Sequence, residues 1–257
     1  MRQLTAFFKK ECREYYRSGK IWIVLVVFVL FGIMNPAMAK LTPWLMEMAS
    51  ESLESSGLTL STVEVDALTS WIQFYKNVPM AMIIFMLLFA GMITREYDRG
   101  TLINMVTKGM VRWKVVLAKT LVVTGIWLIG YWLCFGITYG YNAYFWDNSL
   151  VQHIFLGAGC LCIFGLWVIS LGVLVSTIVS STTAVILFTV GTIGVLYFLS
   201  LIGKIKKFLP VQLLGSGELL TGAGSVADYQ ITILVTVVLV IVQLVLAVAA
   251  FNKRGNL

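Results

Sequence analysis

The chain has 257 residues, 59% of them hydrophobic and only 12% charged, and its mean hydropathy is +0.91. A soluble globular domain carries about 25% charged residues, so composition excludes one and places the chain in a membrane. The net charge of +7 does not mark a nucleic-acid-binding face, because the basic residues flank apolar runs and act there as topology signals.

The first twenty residues, "MRQLTAFFKKECREYYRSGK", put Leu4, Phe8, Cys12 and Tyr15 at helical spacing, with Phe7 and Tyr16 beside them. Lys9, Lys10, Arg13, Arg17 and Lys20 supply charge. A helix with an aromatic and a basic face lies in the membrane interface. Residues 1–20 are therefore expected to form an interfacial helix carrying Phe7, Phe8, Tyr15 and Tyr16, with a bend at Ser18-Gly19. Ala37-x-Ala39 resembles a signal-peptidase site, but the region before it contains Glu11 and Glu14 and is unlike a short basic leader.

A spanning helix needs about 20 mostly apolar residues. Six runs fit: about Ile21–Ala39, Val78–Thr94, Val115–Tyr139, Ile154–Ile178, Ala184–Gly203 and Ile231–Phe251. The second is short and has room to begin nearer Trp71. Six spans put both termini on one side. With the termini inside, 14 of the 19 basic residues are inside. They are Arg2, Lys9, Lys10, Arg13, Arg17, Lys20, Arg95, Arg99, Lys108, Arg112, Lys114, Lys119, Lys253 and Arg254. The positive-inside rule then gives a multi-pass protein with N-terminus and C-terminus both cytoplasmic.

The six runs hold no Asp, Glu or Arg, and Lys119 sits where it can snorkel to the inner surface. Mid-membrane acids of the kind that relay protons in coupled transporters are missing, and so are the paired ionisable groups of an intramembrane enzyme. The sequence contains no G-x-x-x-x-G-K-[ST], so the chain brings no nucleotide-binding loop of its own. It reads as a protein that is not itself an enzyme, and neither a metal nor a cofactor site is apparent. Cys12, Cys134, Cys160 and Cys162 form no C-x-x-C and read as small hydrophobes. Gly136 and Gly140 make a G-x-x-x-G, suited to packing inside the chain or to a dimer face.

Between the second and third runs lies "REYDRGTLINMVTKGMVRWK", residues 95–114. Glu96 and Asp98 come first and Lys108, Arg112 and Lys114 last, a polarity that suits a helix dipole. Thr101 can cap a short helix, Gly109 can stop it, and Leu102, Ile103, Met105 and Val106 form an apolar patch.

This stretch resembles the cytoplasmic segment of ABC type-2 permeases, the integral-membrane subunits of bacterial ABC exporters. The resemblance rests on Glu96, the Gly100-Thr101 pair, the apolar Leu102–Val106, Arg112 and Lys119. It extends to the surface-lying first helix, the six spans and the tight turn "VSSTT". Members often have Pro-Val-Ser-Arg where this chain has Gly109-Met110-Val111-Arg112. The resemblance implies an all-α membrane protein, a single transmembrane domain over residues 1–257 with an N-terminal elbow helix and a cytoplasmic coupling helix. It implies that Arg95, Glu96, Asp98, Arg99, Gly100, Thr101, Leu102, Ile103, Met105 and Val106 meet an ABC ATPase subunit. Two such subunits would carry the ATP and Mg and would pair with two permease copies, alike or closely related. The segment "KIKKFLPVQLLGSGELLTGAGSVADYQ" would fold back as short outer helices. The setting is the bacterial cytoplasmic membrane, and the partners are the ATPase, a second permease and the lipid bilayer, with no nucleic acid.

The expected function is ATP-driven export of an amphipathic or apolar cargo: an antimicrobial peptide, a toxin or a drug. Two alternatives stand beside it. One is a membrane immunity or sensor protein that binds an antimicrobial peptide through acids such as Glu47, Glu51, Glu54, Glu64 and Asp66. The other is a lipid or polysaccharide exporter subunit, for which Trp127, Tyr131 and Trp132 offer an aromatic path.

Overall fold

The computed structural model describes residues 2–54, 66–98, 100 and 111–254. Among these residues there is no strand. Nine α-helices follow in order: α1 (Arg2–Arg17), α2 (Lys20–Glu54), α3 (Ala67–Phe89), α4 (Thr94–Asp98), α5 (Arg112–Phe145), α6 (Ile154–Ile178), α7 (Thr182–Ser200), α8 (Gly203–Lys206) and α9 (Val226–Arg254). Two 3₁₀ segments, Asn148–Leu150 and Pro210–Thr221, complete the described elements. Among the described residues six helices are long and apolar enough to cross a membrane, corresponding to α2, α3 (through α4), α5, α6, α7 and α9.

The ends of these helices differ from the hydropathy reading. α2 does not stop at Ala39 but runs 35 residues, with Pro36 and Pro43 inside it. At about 1.5 Å per residue those 35 residues reach about 52 Å, well past the ~30 Å hydrocarbon layer. α3 begins at Ala67 rather than Val78. Asp66 caps it, its carboxylate accepting from the Thr69 N–H at 2.9 Å. Gln73, Lys76 and Asn77 break the apolar run here without breaking the helix. α7 starts at Thr182, where Ser181 accepts from the Ala184 N–H at 3.1 Å.

α6 is the central helix. Most of its side chains are buried, and α9, α5, α7 and the Pro210–Thr221 segment pack round it. Gly165 permits a very close approach: a Cβ there would run into the Trp127 ring of α5. Trp127 in turn meets Phe28 of α2 at 5.5 Å and Phe85 of α3 at 5.4 Å, both edge-on. Such pairs contribute about 0.5–1.5 kcal/mol each beyond area burial. The Tyr131 hydroxyl donates to the Ala158 carbonyl at 2.6 Å. Trp127 and Tyr131 are therefore core residues, and the aromatic path expected from them is not on the surface; only Trp132 of the three is exposed. Gly136 and Gly140 meet nothing within 4 Å, so the G-x-x-x-G pair takes no part in packing among the described residues.

A chain of neutral hydrogen bonds crosses the bundle. Pro36 has no N–H, so the carbonyl of Gly32, four residues back, loses its helical partner. The Thr138 hydroxyl of α5 donates to that carbonyl at 3.2 Å. Thr138 accepts from the Asn35 amide at 2.9 Å, and Asn35 accepts from the Asn77 amide of α3 at 2.8 Å. Asn35, Asn77 and Thr138 are all buried. The relay repairs a proline break and ties α2, α3 and α5 together.

The Pro210–Thr221 segment folds back on α6. The Ser216 hydroxyl donates to the Gly157 carbonyl at 3.1 Å, and the Tyr229 hydroxyl donates to the Gly215 carbonyl at 2.7 Å. At the periphery, α7 and α9 leave apolar side chains such as Leu187, Phe198, Leu234 and Val245 exposed. In a membrane those faces meet lipid or another protein.

Candidate functional site

α1 packs on α5 and α2. Its buried residues fall at Phe7, Glu11 and Tyr15, one every fourth position, and Glu11 is among the most buried residues of the chain. The face turned inward is thus Phe7–Glu11–Tyr15, while Phe8 and Tyr16 of the expected aromatic face point outward and are exposed. A carboxylate in the middle of a buried stripe needs a cation.

Lys119 of α5 supplies it. Its Nζ lies 2.8 Å from Glu11 Oε2 and 2.9 Å from Glu96 Oε1 of α4. The side chains of Glu11, Lys119 and Glu96 are 1%, 3% and 9% exposed. Lys119 therefore does not snorkel to the surface. It stays inside because two carboxylates hold it there. Glu96, whose place in the sequence suits a helix dipole, is instead half of a buried ion pair.

Lys10 closes the other side of the cluster, 2.9 Å from Glu11 Oε1, 2.9 Å from Glu14 Oε2 and 3.7 Å from Glu96 Oε1. Burial opposes its charge, but hydrogen bonds to Glu11 and Glu14 outweigh burial and lift its pKa above the ordinary lysine value. Lys10 and Lys119 both lie over the Phe7 ring, at 5.1 and 5.9 Å. Burial, and then the carboxylates of Glu11, Glu14 and Glu96, raise the Tyr15 hydroxyl above the usual tyrosine range and keep it neutral. The oxygens of Glu11, Glu14 and Glu96 gather within 4.8 Å of one another; Lys10 reaches all three, and Lys119 reaches Glu11 and Glu96.

Neighbouring contacts fix the frame. The turn after α3 returns through Met92 N–H to Phe89 carbonyl and Glu96 N–H to Ile93 carbonyl, at 2.9 and 3.0 Å. Lys20 donates to the Leu88 carbonyl at 2.8 Å, satisfying a helix-end acceptor, and its ammonium lies over the Tyr15 and Phe89 rings. Gly91 abuts the start of α7: a Cβ there would come within 2.6 Å of Thr182 Oγ1. The Thr94 and Thr182 hydroxyls pair at 3.2 Å. Farther along, Lys114 donates to Gln3 at 3.0 Å, a second tie between α1 and α5.

Of the residues expected at the coupling site, Arg95, Glu96 and Asp98 lie on α4, and Gly100 takes a left-handed φ of 62° that suits glycine after a helix end. Arg99, Thr101, Leu102, Ile103, Met105 and Val106 lie outside the described residues. Sequence reasoning does not reach the roles of Lys10, Glu11, Glu14 and Lys119. The i, i+4 run of Phe7, Glu11 and Tyr15 is the available signal for Glu11. Nothing local marks Lys119 as its partner.

This cluster joins three elements. Two of them, α4 and α5, are the brackets of the segment 99–111, and the third is α1. Each carboxylate is met by an ammonium at 2.8–2.9 Å, so the arrangement fixes positions. Removing charge from water costs several kcal/mol per ion, which makes the cluster a device for geometry more than for net stability.

The family described as ABC-2 family transporter protein matches residues 5–205. The chain is also 19% identical over 231 residues to the uncharacterized transmembrane protein YxlG of Bacillus subtilis (strain 168), with 89% of each chain covered. The family match takes in α1, the buried cluster and five of the six candidate spans, and by it the chain belongs to the ABC-2 family of transporter proteins, membrane transport components that work with an ABC ATPase.

Proposed function

We propose that the chain is the permease subunit of an ATP-driven exporter in a bacterial cytoplasmic membrane, working with a second permease copy and two separately encoded ATPase subunits. Its N- and C-termini face the cytoplasm, and the segment from Arg95 to Lys114 is where the ATPase docks. One observation carries this reading: both brackets of that segment, α4 and α5, are bolted by Glu96 and Lys119 to each other and through Glu11 to α1. A push on the segment is then delivered to three helices at once. A free loop lying on lipid has no need of a buried ionic anchor that costs several kcal/mol per charge.

The cargo is amphipathic or apolar: a peptide, toxin or drug. Supporting this, a cleft of about 190 Å³ between α3, α6 and α7 is lined by apolar side chains including Met82, Ile83, Phe164 and Val190, with Thr189 as a polar point. Such a lining favours an apolar ligand with few polar groups.

The test is Leu102→Asp with Val106→Asp. A buried unpaired charge costs several kcal/mol, roughly a thousandfold in affinity. Normal amounts of membrane protein are expected, with the ATPase no longer co-purifying and export lost. Unchanged ATPase binding and export would show that the segment only lies on the lipid, and would leave the immunity or sensor reading in its place.

A further inference from the structure

Beside the buried cluster a cavity of about 570 Å³ opens between α1, the Ser18-Gly19 turn, and the turn joining α3 to α4. Six cations and two carboxylates line it. Lys10 and Lys119 are engaged by Glu14, Glu96 and the Glu11 carboxylate behind them. Arg13, Arg17 and Arg95 line it too, and among the residues whose side chains are described none of the three has a carboxylate within 4.0 Å; Lys20, held by the Leu88 carbonyl, adds its charge. Three guanidinium groups around one concavity repel one another, and the arrangement is relieved by an anion with several acceptor oxygens.

The surroundings say which anion. The first turn of α2, where a candidate span begins, exposes Trp22 and Ile23, and Trp22 packs on exposed Tyr16 at 5.7 Å. Aromatic side chains of this kind mark the headgroup level of a bilayer. A phosphate held in the cavity would therefore have apolar helix surface running away from it along α2, through exposed Val26 and Leu30. Basic pockets against spanning helices bind anionic lipid headgroups.

We infer that this cavity is a binding site for the phosphate of an anionic phospholipid, whose acyl chains lie along the exposed face of α2. The site is distinct from the cargo cleft and does not depend on the identity of the cargo. It places a lipid phosphate against Arg95, one residue from Glu96, so lipid composition acts on the same element that brackets the ATPase-docking segment.

The test uses the full-length chain in detergent, incubated with mixed micelles of phosphatidylglycerol and phosphatidylcholine, with retained lipid read by native mass spectrometry. Wild type should retain phosphatidylglycerol in preference. Arg13→Gln with Arg17→Gln, both at exposed positions, should lower retained phosphatidylglycerol about tenfold. Arg95→Gln alone should lower it in the same direction. Lys204→Gln with Lys206→Gln removes the same charge in α8, at the far end of the bundle, and should change nothing. Equal loss in the α8 variant, or no loss in the arginine variants, would overturn the site. Inorganic phosphate is added in a separate arm; if it displaces the lipid fully, the site is for a free anion and the lipid assignment fails.

Discussion

Two of the polar clusters buried among the described residues are built from opposite materials. The one at the α1 end is ionic: Glu11, Glu96 and Lys119, with Lys10 at its edge. The other, about 28 Å farther along α5 from Lys119 to Thr138, is neutral: Asn77, Asn35, Thr138 and the Gly32 carbonyl. The group to be satisfied accounts for the choice. A carbonyl freed by a proline needs only a neutral donor, and a hydroxyl supplies one at far less cost than a charge. Glu11 and Glu96 are themselves acids, and their ammonium partners join elements that no continuous apolar face would hold, namely a surface helix and the two brackets of a loop. The neutral cluster mends one helix; the ionic one connects three.

On that contrast, breaking the ionic cluster is the costlier injury. Lys119→Met leaves Glu11 and Glu96 buried without the ammonium that bridges them, Lys10 staying 2.9 Å from Glu11 and 3.7 Å from Glu96. It should destabilise the protein by about 3–5 kcal/mol, read as a lowered thermal midpoint in detergent. Adding Glu11→Gln and Glu96→Gln to Lys119→Met should recover most of the loss. No recovery would mean that packing, and not charge, holds α1 in place.

The neutral cluster should respond more mildly. Thr138→Val removes the donor to Gly32 and the acceptor for Asn35, at a cost of about 1 kcal/mol, the range of hydrogen bonds in membrane helices. Its logic is sharpened by Pro36→Ala, which returns an N–H to the Gly32 carbonyl. In the Thr138→Val background Pro36→Ala should be less harmful, or more helpful, than in wild type. Additive effects in that double-mutant cycle would sever the link between the proline and the threonine.

The smallest effect belongs to the rim of the ionic cluster. Glu14 is 43% exposed and pairs with Lys10, which keeps Glu11. Glu14→Gln should shift stability by about 0.2–0.5 kcal/mol, the value of an exposed i, i+4 pair. A loss comparable to Lys119→Met would place the anchor at the surface and not in the interior.

The existence of the six spans is legible in the sequence, because a run of about 20 apolar residues is long enough to cross the hydrocarbon layer and too apolar to face water. Their ends are not legible. The apolar run of the first span closes at Ala39, yet α2 continues through Pro36 and Pro43 to Glu54, helped by Thr138, which satisfies the carbonyl that Pro36 frees. Asn77 falls just outside the apolar run of the second span, and in the bundle it is a buried link to α2. At the site, Glu96 can be named from its place beside Gly100-Thr101, but its burial cannot. Lys119 and Glu11 are 108 residues apart, and pairing at that separation is a property of the folded bundle. Glu11 alone leaves a local trace, in its spacing from Phe7 and Tyr15.

That separation also sets an order of events during synthesis. Glu11 leaves the ribosome 108 residues ahead of Lys119, an interval of about 5–20 s at ordinary elongation rates. Through that interval α1 has no cation from α5 to receive its carboxylate, and it must wait in the watery headgroup layer while α2 and α3 insert. The cluster closes only when the third span arrives with Lys119 at its head. The final seat of α1 is thereby tied to the arrival of α5, the helix that carries its buried cation.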